Sequence, residues 1–247
     1  SLHDALPIFT ELLQKLKLHG CEGILRGEPE EKQRKMIVER LDRQLLVALY
    51  EITRGESFEA IVADEYSRIT PLEAQQLYLD ICTLHRYDVP VRAGIVSRIS
   101  GISFRDFETE FFEPLQDLIF SKQNATTGDW EYTTRHSIVS EMVFTQVCRT
   151  DNDRRDQVVR VIDGLDASYR SDEIALSHLI RGKNLADTFE DISLARQVFD
   201  IAVRRNPTKL YLLQQRAILE YSHKRGSLEE AERGISAALM SDPDNPT

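Results

Sequence analysis

The residues best placed to do chemistry are Arg135 and His136, which begin an apolar run typical of a helix with the histidine in its first turn. An imidazole can donate a hydrogen bond to a phosphate oxygen, and the start of a helix favours an anion. The pair is therefore a candidate for contact with a phosphate or with a domain interface. The alternative is structural, because the same two side chains can cap the helix or pair locally.

No other pattern predicts an active site. Four further histidines stand singly near predicted helix ends, without the spacing of metal ligands: His19, His85, His178 and His223. The sequence contains no G-x-x-x-x-G-K-[ST] loop, which would hold the phosphates of a nucleotide. The acidic pair Asp64-Glu65 lies in an amphipathic helical context and is interpreted as a solvated helix end. We therefore predict no catalytic residue, no metal site and no cofactor held by this chain alone.

Helices are expected to position the first part of the chain. The spacing of apolar residues predicts helices over 9–18, 29–52 and 57–66. Gly20 and Gly55 follow the first two of these, as glycine commonly does at a helix end. Residues 9–69 are thus predicted to form a helical domain.

Residues 70–150 have the order of a winged helix. Thr70 to Glu73 predict a capped helix start, since threonine caps, proline suits the first helical position and Glu73 can reach back to the cap amide. Helices are predicted over 71–85, 91–99 and 103–113, and strands over 118–120 and 130–134. Three helices followed by a hairpin wing indicate a winged-helix domain, and a plain helical bundle is the alternative.

The charges of the third predicted helix, 103–113, argue against DNA binding. It carries one basic residue, Arg105, and the acidic residues Asp106, Glu108, Glu110 and Glu113. In a helix-turn-helix this segment lies in the major groove, where phosphates would repel carboxylates. Its aromatic residues are too many for one buried stripe: Phe104, Phe107, Phe111 and Phe112. We expect some in the core and others against a neighbouring domain, so the module is predicted to contact protein.

A pattern near the C-terminus occurs twice. At a spacing of 36 positions, Ala195, Phe199, Ala202 and Pro207 recur as Ala231, Ile235, Ala238 and Pro243. Small residues let two helices approach closely, the large residue fills the groove, and proline stops the helix. The period is close to the 34 residues of the tetratricopeptide repeat (TPR), so 151–247 are predicted to be TPR-like hairpins that recognise protein. Ser227 and Glu230 predict a capping box in the second copy.

Composition narrows the function classes. The chain has 247 residues, of which 41% are hydrophobic and 29% charged, and its net charge is -10. The negative charge argues against general binding of nucleic acid, and no apolar run approaches the roughly 20 residues of a membrane span. No signal peptide is recognisable. Cys21, Cys82 and Cys148 are interpreted as buried free thiols in a reducing, cytoplasmic compartment.

Both ends of the chain are interpreted as cut. The sequence starts at Ser1 rather than methionine and stops where a further repeat helix is expected. Residues 1–8 resemble the translation of a common sequencing adapter, so they are interpreted as an assembly artefact. The repeat region 151–247 is accordingly expected to be truncated.

Five segments form a set that points to a family. They are LDRQLLVAL at 41–49, DEY at 64–66, the helix from LYL to LHR at 77–86, VRA at 91–93 and RH at 135–136. Together they resemble the region that follows the ATPase core in bacterial STAND NTPases, particularly those of the antiviral type. In that family a P-loop ATPase precedes a helical domain, a winged helix and a helical-repeat sensor of protein ligands.

The resemblance implies partners and a role for the candidate pair. It implies a missing N-terminal ATPase domain that binds ATP or ADP with Mg²⁺. It also implies that His136, with Arg135, senses the nucleotide state, because a winged-helix histidine contacts the bound diphosphate in related switch ATPases. The catalytic motifs of the family are absent from this sequence, so the chain itself is not expected to hydrolyse ATP.

We therefore expect a mainly helical, non-catalytic switch-and-sensor fragment. Its winged helix would relay the nucleotide state, and its TPR-like repeats would recognise a protein ligand, with no DNA or membrane partner. One alternative is a free-standing TPR-like adaptor. Another is a winged-helix transcription regulator, which the acidic third helix disfavours.

Overall fold

The periodic apolar residues form helices, and a small sheet lies among them. The computed structural model describes residues 6–41, 47, 49, 51, 54–103, 105–166, 168–205 and 210–241. This described chain is mainly helical, with a three-stranded antiparallel sheet. It divides into two units, Ser1–Ser67 and Arg68–Thr247. The domain boundary predicted between residues 69 and 70 lies two residues from this division. The boundary predicted between residues 150 and 151 falls inside the second unit.

The described part of the first unit contains three helices with described bounds and a short turn, and its residues 47, 49, 51 and 54 are also helical. The elements with described bounds are α1 (Leu6–Leu18), a 3-10 turn (Gly23–Leu25), α2 (Glu30–Leu41) and α3 (Phe58–Ser67). Leu13, Leu16 and Leu25 form a buried apolar cluster. The helices predicted at 9–18 and 57–66 are confirmed. The helix predicted over 29–52 is described continuously only to Leu41, and much of its remainder lies outside the described residues.

The second unit begins with helices arranged around the sheet. In chain order these are α4 (Leu72–His85), β1 (Val91–Arg92), α5 (Ala93–Ser100), β2 (Ile119–Gln123), β3 (Trp130–Thr134) and α6 (Ser137–Val147). The strand order is β1-β3-β2, with Ile119 opposite Thr134 and Val91 opposite Tyr132. The two predicted hairpin strands are confirmed, although β2 extends to Gln123. β1 replaces the start of the helix that was predicted over 91–99.

The capping box predicted at the start of α4 is wrong. Pro71 is the N-cap, with φ -73° and ψ 177°, and no side chain caps this end of the helix. Thr70 therefore lies before the cap, and Glu73 is an exposed residue of the first turn. The helix itself is confirmed, and it ends at His85 as expected.

The third helix predicted over 103–113 is also wrong in its extent. In the described residues of this stretch, the regular structure is a π-helical turn over Glu108–Phe112. The Glu113 N–H donates to the carbonyl oxygen of Glu108, five residues earlier, at 2.9 Å. Turns then lead to β2.

Aromatic packing accounts for this wide turn. The rings of Phe107, Phe111 and Phe112 all contact the ring of Tyr132 on β3, with centroid distances of 6.2, 5.0 and 5.5 Å. A regular helix turns about 100° per residue, so neighbouring positions such as 111 and 112 face different directions. The wider turn brings Phe112 nearer to the side occupied by Phe107 and Phe111, so that all three rings contact Tyr132. Phe104 lies outside the described residues.

Paired helices follow the sheet. They are α7 (Asp151–Gly164), α8 (Arg170–Leu179), α9 (Gly182–Thr188), α10 (Ile192–Arg205), α11 (Leu210–Ser222) and α12 (Leu228–Ser241). α7 packs against α10, α9 against α11, and α11 against α12. A capping box of Thr150 and Asp153 begins α7.

The repeated pattern behaves differently in its two copies. In the first copy Ala195 and Ala202 are fully buried and Phe199 is 3% exposed. In the second, Ala231 is buried but Ile235 is 48% exposed. Both prolines of the pattern lie outside the described residues.

The capping box predicted for the second copy is half formed. The Ser227 hydroxyl accepts a hydrogen bond from the Glu230 N–H at 3.2 Å. The Ser227 N–H, however, donates to the Glu220 carboxylate at 3.2 Å. The nearby buried Glu220 therefore takes the place that Glu230 would have in a complete box.

Candidate functional site

His136 caps α6. It is an exposed residue in extended conformation, and its Nδ1 accepts a hydrogen bond from the Ile138 N–H at 3.2 Å. Nδ1 therefore carries no proton in this arrangement, and Nε2 is the remaining polar atom of the ring. This geometry agrees with the local alternative of helix capping. Arg135 is half-buried in the bend between β3 and α6, and sensing of nucleotide by the pair stays a prediction.

A buried polar network lies at the end of α4, close to His136 along the chain. The Nδ1 atom of His85 lies 2.9 Å from the Thr134 hydroxyl and 3.3 Å from the Ser140 hydroxyl. Those two hydroxyls are 2.8 Å apart. Burial lowers the pKa of His85, and the charge of Asp88 opposes this shift only in part. Because Ser140 is fully buried, the network offers no accessible nucleophile and serves packing.

Asp80 is a buried acid in the middle of α4. It accepts hydrogen bonds from Arg160 Nε at 3.1 Å and from Gln157 Nε2 at 2.9 Å, both on α7. Burial raises the pKa of Asp80, although these two donors oppose the shift. The carboxylate thus ties α4, beside the sheet, to the first of the paired helices.

Asp172, on α8, makes a second link of the same kind. It is fully buried, and its carboxylate accepts hydrogen bonds from Arg92 Nε at 3.0 Å and from Arg92 Nη2 at 3.2 Å. Arg98 of α5 also pairs with it, and the Arg92 guanidinium lies 3.8 Å from the centre of the Tyr169 ring. Burial opposes the charge of Arg92, but the hydrogen bonds from Arg92 to Asp172 raise the pKa of Arg92 overall.

A polar cavity of about 320 Å³ lies where the end of α4 meets α6, α7 and α9. Two arginines and two carboxylates line it: Arg86, Arg154, Glu141 and Asp187. Tyr87 and Phe144 contribute aromatic rings, and Thr145, Asn184 and Thr188 contribute hydroxyl and amide groups. Among the described residues, no group of three or more histidine, cysteine or acidic side chains is arranged to hold a metal ion.

The cysteines differ from one another. Cys82 and Cys148 are buried free thiols, as predicted, and burial raises the pKa of Cys148 to about 12. Cys21 is exposed, so the prediction that it is buried is wrong. It follows α1 in a short connection outside the apolar cluster of the first unit.

Comparison with known proteins gives no relative. No family model, no curated protein and no solved structure matches this chain. The resemblance to bacterial STAND NTPases therefore rests on the sequence segments that suggested it. In the part of the chain that the structure describes, no helix has both the length and the apolar character needed to cross a bilayer.

Sequence reasoning missed the buried charges and the cavity. Asp80 stands in the apolar run of residues 77–84, and Arg92 stands between Val91 and Ala93. A single charged residue among apolar neighbours is a signal of a buried ion pair, because burial of an unpaired charge is expensive. The partners are 80 residues away in both pairs, and no local pattern identifies them.

Proposed function

We propose that residues 68–241 form a non-catalytic relay module of a STAND-type signalling ATPase. In this proposal the segment from α4 to α6 is a winged helix, and the helices from α7 to α12 are TPR-like hairpins that recognise a protein ligand. The chain order of α4, β1, α5, the turn at Glu108–Phe112, β2 and β3 supports the winged-helix assignment. The packing of α7, α9 and α11 with later helices supports the assignment of paired repeats.

The observation that carries the proposal is the set of links between these two parts. Asp80 bonds to Arg160, and Arg92 and Arg98 bond to Asp172. The buried charges lose much of their stabilisation if their partners separate, so the two parts should move together. Recognition at the hairpins would then displace the sheet-bearing part, which is what a relay requires.

The surface charge at the turn supports protein rather than DNA as the partner. Glu108 and Glu110 of the π-helical turn are exposed, and so is Glu113 directly after it. These carboxylates would face phosphates if this part of the fold entered a DNA groove.

The relay is testable by measuring a distance between the two parts. We would place spin labels at Lys122→Cys on β2 and Glu232→Cys on α12, two exposed positions, in a Cys21→Ser background. Pulsed electron paramagnetic resonance should give one narrow distance distribution. The double variant Asp80→Asn with Asp172→Asn should broaden it, because the charged links are weakened.

The matched control removes two exposed charges instead of two buried ones. Glu108→Gln with Glu110→Gln should leave the distance distribution unchanged. A broad distribution in the parent protein would contradict the relay, since the parts would then move independently. Release of phosphate from Mg-ATP by the purified chain would contradict the non-catalytic assignment. A free-standing adaptor would give the same narrow distance distribution. The coding sequence upstream of residue 1 distinguishes the two functions, because it would lack a P-loop if the protein were such an adaptor.

A further inference from the structure

We propose that the cavity between α4, α6, α7 and α9 binds a small zwitterion, with a carboxylate and an ammonium group a few atoms apart. This is the chemistry of a free α-amino acid. The proposal does not depend on the relay, because it rests on the charges and the hydrogen bonds of the cavity alone.

The first argument is the incomplete hydrogen bonding of Arg86. Its side chain is only 5% exposed. Nη2 donates to Tyr87 Oη and to Thr188 Oγ1, both at 2.5 Å, but no described residue accepts a hydrogen bond from Nη1. A buried donor without an acceptor is costly, and a guanidinium is shaped to donate to carboxylate oxygens. A carboxylate that enters the cavity and reaches this group would remove the cost.

The second argument is that Arg86 is held in place before any ligand arrives. Its guanidinium lies 3.9 Å from the centre of the Phe144 ring and 4.6 Å from that of Tyr87. Contacts of a guanidinium with aromatic faces are attractive. Little side-chain freedom would therefore be lost on binding, which favours affinity for a small ligand.

Arg154 adds positive charge while keeping the cavity wall in position. Its Nε donates to the Cys148 carbonyl at 3.2 Å, and Nη1 donates to Thr188 O at 3.0 Å and to Asp151 at 3.2 Å. These bonds fix α9 against the start of α7. The carboxylate of a ligand would thus lie between one incompletely bonded arginine and a second fixed cation.

The third argument concerns the opposite charge. Glu141 Oε2 lies 3.3 Å from Arg86 Nε, and 53% of the Glu141 side chain is exposed. Asp187, on α9, also lines the cavity and is exposed. A carboxylate bonded to Arg86 would place a cationic group a few atoms away beside Glu141. The two acids also disfavour a ligand with two negative charges, such as phosphate.

The size and polarity of the cavity limit the ligand further. Its volume of about 320 Å³ lies at the lower end of ligand pockets, which span roughly 300–1,000 Å³. Thr145 and Asn184 contribute polar groups to the lining. A small or polar amino acid therefore fits better than one with a large apolar side chain.

The test is calorimetric titration of the 247-residue chain with glycine, L-serine and L-glutamine. Acetate and methylammonium are titrated as the two halves of the ligand, and inorganic phosphate as the competing anion. We expect at least one amino acid to bind about tenfold more tightly than either half, because it makes both charged contacts. Glu141→Gln and Asp187→Asn should each weaken that binding by about tenfold and leave acetate binding no weaker.

Glu232→Gln, an exposed substitution on α12, is the matched control and should not change binding. Thermal unfolding of each variant would verify that it is folded. We expect Glu141→Gln and Asp187→Asn to fold, because both side chains are exposed. The proposal would be overturned if none of the three amino acids binds, if acetate binds as tightly as they do, or if phosphate binds more tightly. Equal affinity in the parent, Glu141→Gln and Asp187→Asn proteins would also overturn it.

Discussion

A single side chain, His85, shows how burial decides protonation in this fold. It lies among the hydroxyls of Thr134 and Ser140 at the end of α4. Burial holds its pKa below the ordinary value of 6.5, and the charge of Asp88 opposes this only in part. The folded protein therefore binds a proton at this ring less readily than the unfolded chain does.

The sign of the resulting pH dependence follows from linkage. Above the unfolded pKa of 6.5 the ring is neutral in both the folded and the unfolded state, and its full contribution to the free energy of unfolding is present. As the pH falls through that value toward the lower folded pKa, only the unfolded chain gains the proton, and stability is lost. We predict that the free energy of unfolding in urea falls between about pH 7 and about pH 5.5, and that His85→Gln reduces this fall.

His19→Gln is the control for this measurement, since His19 is exposed in the first unit. His178 also has a lowered pKa, again through burial, so the comparison is the difference between His85→Gln and the parent protein. An unchanged pH dependence in His85→Gln would show that the ring is not held neutral by the fold.

At the scale of the helices, Gly182 at the start of α9 makes a close contact with the backbone of α11. A Cβ atom at this position would lie 2.4 Å from the Gln215 carbonyl oxygen and 2.5 Å from the Leu219 nitrogen. Both are backbone atoms of α11, and they cannot rotate away. The Gly182 N–H donates to Gln215 Oε1 at 2.8 Å, so glycine here gives both a close approach and a cross-helix bond.

We predict that Gly182→Ala destabilises the second unit by about 1–3 kcal/mol, because α9 and α11 must separate to admit the methyl group. The measurement is urea unfolding followed by the fluorescence of Trp130. Lys183→Ala, at the exposed neighbouring position on the same helix, should stay within about 0.5 kcal/mol of the parent. Equal stability of the Gly182→Ala and parent proteins would mean that the helices are not in such close contact.

The sequence predicted what is local about these helices and strands. α6 begins at Ser137, one residue after the histidine expected in its first turn, and β3 occupies the predicted residues 130–134. β1 was missed because its two residues, Val91 and Arg92, are too few to show a period. The third helix was predicted from its apolar spacing, but contacts of its rings with Tyr132, which are long-range, decide the wider turn. The cavity at Arg86 was not predictable for the same reason, since four helices contribute to it.

The described residues of the second unit are joined by buried charges along their length. Asp80 and Asp172 bind arginines across the sheet-bearing part and the paired helices. Farther along, Glu220 on α11 receives two bonds of 2.7 Å from Arg196 on α10. Burial raises the pKa of Glu220, but hydrogen bonds from Arg196 leave it below its ordinary value. This continuous packing makes the unit a candidate for one cooperative unfolding transition.

The sole tryptophan, Trp130, lies on β3 and can report whether a change in the distant hairpins is felt at the sheet. We predict that Glu220→Ala lowers the stability measured by Trp130 fluorescence by about 2 kcal/mol, since Arg196 and the Ser227 N–H lose their acceptor. Glu232→Ala, an exposed acid on α12, should change it by less than about 0.5 kcal/mol. If Glu220→Ala melts the hairpins while the Trp130 midpoint stays at its parent value, the paired helices unfold separately from the sheet. Such independence would contradict the relay, because a change in the hairpins could then occur without moving the sheet-bearing part.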